Sequence, residues 1–164
     1  MQARLFYEET LVRLHVLADS DLDEAQRVKL CVVKAIRQKA ARLAGQAHSA
    51  GEAFAILSRA KRALRRVARH AARRERFNGD VRVETGVYPF DDRQYGDKLV
   101  PAGDYRAVRV VLGTGKGHNW WCVLYPELCA VEEACAQALS SPDAVHFYTR
   151  IGDYLSTLFK GAGL

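Results

Sequence analysis

The chain has 164 residues, 49% hydrophobic and 27% charged, with a formal net charge of +6 and a pI of about 9.3. This balance predicts one globular domain over 1–164, burying about two-thirds of the surface its unfolded chain exposes. No segment reaches the roughly 18 consecutive apolar residues that a membrane span needs. The composition also excludes a cysteine-dense disulfide scaffold, because the chain has only four cysteines.

Residues 1–10, MQARLFYEET, carry charge and no apolar run, so no signal peptide is visible there. They are expected to be a flexible N-terminal segment. Leu11 to Leu17 alternates Leu11, Arg13, His15 and Leu17 against Val12, Leu14 and Val16, the period of a strand. Asp21 with Glu24 three residues on reads as a capping-box-like helix start, and Asp19, Asp21, Asp23 and Glu24 read as helix-cap acids rather than a metal cluster. The first helix then runs to about Leu43, with a core stripe of Ala25, Val28, Val32, Ile36, Ala40 and Leu43.

Ser49 with Glu52 is a fuller capping box and opens a second helix. Its apolar stripe, from Phe54 and Leu57 to Val67 and Ala71, opposes a basic stripe of Arg59, Arg62, Arg66, Arg69 and Arg73. Those arginines are either a solvated face or a docking surface for anionic lipid or nucleic acid. No aromatic residues interleave with them, which argues against single-stranded nucleic acid, and no nucleic-acid partner is expected.

Asn78-Gly79-Asp80 turns the chain into a second strand carrying Val81, Val83, Thr85 and Val87. Tyr88 to Pro101 reads as an irregular crossover. Tyr105 to Leu112 and Trp120 to Tyr125 read as a hairpin joined through Gly113, Gly115 and Gly117. Alternation puts Trp120 and Trp121 on opposite faces, one in the core and the other exposed or covered by another element. Leu128 to Leu139 and the stretch from Ser141 to Gly161 are expected to be helical. The order β-α-α-β-β-β-α-α predicts an α+β fold, a small mostly antiparallel sheet with helices packed on one face.

The chemistry on offer is sparse. Gly113-Thr114-Gly115-Lys116-Gly117 suggests a phosphate loop, but the next element is a strand and not the helix whose N-terminus such a loop needs. Cys122 and Cys129 leave four states open: a disulfide, two buried thiols, a zinc site with His118 and Cys135, or a Cys122 nucleophile paired with His118 or His15. No catalytic residues and no cofactor are assigned. An exposed Trp beside a polar loop has the composition of a binding hot spot.

The run PAGDYRAVRVVLGTGKGHNWWCVLYPELC resembles the hallmark of the stage II sporulation protein R family. The matching positions include Pro101 to Tyr105, Gly113, Gly115, Lys116, Gly117, Asn119, Trp120, Trp121, Cys122, Pro126, Leu128 and Cys129. Val12 to Gln26 is similar to the family's opening strand and helix start. An Arg-Asp pair usual in the first helix appears here as Val33-Lys34, and the family's Phe-Pro order appears as Pro89-Phe90. The resemblance implies a sporulation signalling protein, not an enzyme. It would be exported into the space between forespore and mother-cell membranes, where it triggers a membrane-embedded aspartic protease to process the precursor of mother-cell sigma factor E. On that reading Lys116, His118, Asn119 and one of Trp120 or Trp121 contact the protease.

Overall fold

The computed structural model describes residues 7–95 and 98–126. The helices expected after Leu128 lie outside the described residues, as do Cys129 and Cys135.

Strand β1 (Val12–Leu17) is followed by helices α1 (Asp23–Ala44), α2 (Ala50–Arg59) and α3 (Lys61–Arg74). Strands β2 (Val81–Phe90), β3 (Arg93–Tyr95), β4 (Lys98–Val100), β5 (Gly103–Leu112) and β6 (Asn119–Tyr125) complete the order. The main sheet has the order β2-β5-β1-β6. β1 runs parallel to β5 and antiparallel to β6, and β2 runs antiparallel to β5. The class is α+β, as the element order predicted, and the sheet is mixed.

The placement of β1 corrects the expected hairpin. β5 and β6 do not pair with each other, because β1 lies between them. The two strands are consecutive in sequence and antiparallel, so local pattern alone reads them as paired. Only the long-range insertion of β1 separates them.

Two further readings change. The expected second helix is two helices, broken at Ala60, whose ψ of 6° leaves the helical repeat. Alanine favours the helix interior, so no local signal marks this break. The Tyr88–Pro101 crossover is the end of β2 plus a small β3–β4 ribbon pairing Arg93 with Val100. At the other end, residues 7–10 form a helical turn. Asp104 N donates to Glu8 Oε1 at 3.1 Å, tying that turn to β5.

The two faces of the sheet differ in chemistry. Val12, Leu14 and Val16 of β1 stand beside Val108 and Val110 of β5 and Trp120 and Cys122 of β6. All of these are buried, in one core with Val28, Val32 and Ile36 of α1, Leu57 of α2 and Leu64 of α3. Each fully buried aliphatic side chain there contributes about 1.5–3 kcal/mol. The opposite face carries Arg13, His15, Tyr105, Arg109 and Trp121. The Arg13 guanidinium lies 4.2 Å from the Phe90 ring centre and 5.0 Å from that of Tyr105, so its charge is held by aromatic faces.

A glycine loop seated on an acidic turn

The loop from Gly113 to His118 has to pass over the C-terminal end of β1 to carry the chain from β5 to β6. Its glycines are there for that close approach. A Cβ on Gly117 would stand 2.2 Å from the Ser20 carbonyl oxygen, and one on Gly113, which has a φ of +53°, would stand 2.2 Å from Asp19 Oδ1. Gly115 has a φ of +68° and turns the chain where only a residue without a Cβ is unstrained.

Residues 18–21, ADSD, receive the loop. Gly117 N donates to Ala18 O at 3.0 Å. Thr114 N donates to Asp19 Oδ1 at 2.7 Å, and Thr114 Oγ1 donates to Asp19 O at 2.6 Å. His118 N donates to Asp21 Oδ1 at 2.6 Å, and the same oxygen meets the His118 ring at Nδ1. Asp19 and Asp21 are therefore loop-holding carboxylates and not helix-cap acids. The residue before α1 is Leu22, and it makes no side-chain cap. A helix accepts uncapped N–H groups at a wet end, and here the acids go to the orphan donors of the loop instead.

Lys29 of α1 supports the arrangement from below. It is fully buried, and its Nζ donates to Gln26 Oε1 at 2.6 Å and to His118 O at 3.1 Å. Gln26 Nε2 in turn donates to Ser20 O at 2.8 Å. Burial pushes the Lys29 ammonium down to about 8, while the Asp21 carboxylate pulls it back up. The hydrogen bond from the His118 backbone, then that from its ring, holds Asp21 below the usual carboxylate range.

The predicted site residues separate into groups. Lys116 and His118 are exposed on the loop, and Asn119 is half-buried at the start of β6. Trp120 is buried on the helix-covered face. Trp121 is half-buried on the opposite face, stacked on His15 with ring centres 3.7 Å apart and with Arg93 over it at 5.5 Å. Burial, then the Arg109 charge, push the His15 imidazole down to about 4, so it is neutral where it stacks. Cys122 is buried and disulfide-bonded. A sulfur in a disulfide offers no thiolate to a metal or a substrate, so Cys122 does not serve the zinc alternative. Among the described residues, no group of three or more His, Cys, Asp or Glu side chains could hold a metal ion.

Sequence reasoning missed Asp19, Asp21, Gln26 and Lys29 as parts of this site. The available signal was that the segment 18–26 and the glycine loop both carry the family pattern. Two stretches about ninety positions apart that both match one family pattern are explained by contact.

The fold and site define an α+β domain with a glycine loop pinned to the turn after its first strand. Residues 8–135 match the family model described as Stage II sporulation protein R. The chain is 30% identical over 132 residues to stage II sporulation protein R of Bacillus subtilis (strain 168). That alignment covers 80% of this chain and 59% of the relative, so the chain spans less than two-thirds of that protein's length. No solved structure matches. The chain belongs to the stage II sporulation protein R family. No helix among the described residues is long and apolar enough to cross a membrane.

Proposed function

We propose that this chain is a non-enzymatic sporulation signal that triggers a membrane-embedded aspartic protease to process the precursor of mother-cell sigma factor E. The observation that carries the reading is the construction of the glycine loop. Asp19, Asp21 and Lys29 hold its backbone while Lys116 and His118 remain exposed on it. A surface pre-ordered in this way binds a partner without losing loop entropy on association. Trp121 extends the surface as an aromatic anchor at its side, whereas Trp120 serves the core. By differential binding the contact would stabilise the active state of the protease.

Action outside the cytoplasm is part of the reading. The disulfide at Cys122 supports it, because such bridges persist in oxidising compartments. On this reading the partner sulfur is that of Cys129, which peptide mapping under non-reducing conditions identifies directly.

The test is co-expression of the protease and its sigma-factor precursor in a host that lacks both, with this chain routed outside the membrane. Cleavage is expected only when the chain is present. Lys116→Glu and Trp121→Ala are each expected to reduce cleavage while leaving the circular dichroism spectrum unchanged. Cleavage without this chain, or no cleavage with it, overturns the reading.

A further inference from the structure

Seven of the fourteen residues of α3 are Lys or Arg, and none is acidic. Arg65 is turned back to the domain, donating to Val81 O and pairing with Asp80. The other six are exposed. Leu64, Ala68, Ala71 and Ala72 fasten the helix to the core on its far side. The cations therefore form a fixed row, extending about 16 Å from Arg62 to Arg73 at the rise of an α-helix.

The row borders a groove. Between α1 and α3 lies a cleft of about 510 Å³, with Lys34, Arg66, His70 and Arg74 among its walls, against the single acid Glu75. Ala35, Val67 and Ala71 line it as well, so cationic rims stand beside small apolar side chains. An anionic headgroup with a short apolar stem beneath it has that same combination. Nucleic acid fits less well. The helix carries no Phe, Tyr or Trp for base stacking and no Asn or Gln for base edges.

We propose that the exposed cationic face of α3, together with the α1–α3 groove, docks this domain on a membrane surface containing anionic phospholipid. The surface is separate from the glycine loop, and the proposal does not depend on the protease reading. The attraction is electrostatic, about fivefold in binding per Lys or Arg near an anionic surface, and salt screens it.

The test is co-sedimentation of the whole chain with vesicles of phosphatidylcholine alone and of phosphatidylcholine mixed with phosphatidylglycerol. Binding is expected only to the mixed vesicles, weakening as salt is raised. The double variant Arg69→Glu/Arg73→Glu is expected to lower binding roughly 25-fold or more. The charge-matched control Arg93→Glu/Arg106→Glu, away from α3, is expected to bind like the parent chain. Circular dichroism establishes that both variants are folded. Equal loss in the two variants, or no binding to mixed vesicles, overturns the proposal. So does duplex DNA binding more tightly than the mixed vesicles and displacing them.

Discussion

Asp21 accepts a hydrogen bond from the backbone of His118 at 2.6 Å, joining two segments 97 residues apart. One carboxylate thereby fastens the loop that links β5 and β6 to the turn that follows β1. His118 presents its ring at Nδ1 to the same oxygen.

That contact predicts a pH response. Asp21 has its folded-state pKa depressed by the His118 hydrogen bonds, so the stabilisation is present above the ordinary carboxylate pKa and is lost as pH falls through the folded value. The His118 amide resonance is expected to move as pH falls below about 4, the ordinary carboxylate value, and this movement is expected to be absent in Asp21→Asn. An amide that shifts identically in both proteins refutes the assignment.

Lys29 predicts a response in the opposite range. Its folded pKa of about 8 lies below the unfolded value of 10.5, so the folded state releases its proton first. The unfolded chain binds more protons between those values, and stability therefore rises with pH across that window. The gain is on the order of 2 kcal/mol. Urea denaturation between pH 8 and 10 is expected to reveal it, and Lys29→Met is expected to abolish the pH dependence.

The glycines separate by position. Gly117→Ala drives a Cβ into the Ser20 backbone and is expected to cost about 1–3 kcal/mol, as overpacking does. Gly51, in the first turn of α2, has only ordinary contact with Ser49 Oγ at 3.9 Å. Gly51→Ala is expected to stabilise the domain by about 0.5–1 kcal/mol through helix propensity. Thermal melts of the two variants that shift in the same direction would contradict this account.

The tryptophans separate likewise. Trp120, only 6% exposed, is expected to cost about 3–5 kcal/mol on replacement by alanine. Trp121→Ala removes a half-buried ring stacked on His15 and is expected to cost about 0.5–1.5 kcal/mol for the aromatic pairing, plus its partial burial. Urea midpoints compare the two directly. A larger loss at Trp121 than at Trp120 would reverse the assignment of faces.

Much of this was legible in the sequence because it depends on short-range chemistry. Alternation located β1, β2, β5 and β6 within a few residues. Ser49 does cap its helix, accepting from Glu52 N at 3.1 Å, and Glu52 Oε2 accepts from His48 N at 2.8 Å. The opposite orientation of Trp120 and Trp121 follows from the two-residue period of a strand. The family pattern lies in the linear order of residues and needs no fold to be read.

The tertiary structure alone decided which strands pair and which groups satisfy the loop. A hairpin and a pair of strands with a third between them have the same local pattern, and only the burial of β1 on both edges selects the second. Asp21 and Glu24 have the spacing of a capping box, yet the loop from 97 residues on supplies Asp21 with a backbone donor that the helix end can do without. Buried Arg13 and Lys29 could not be distinguished from surface cations by sequence. Their burial depends on the Phe90 and Tyr105 rings and on the Gln26 and His118 oxygens, which chain folding alone brings to them.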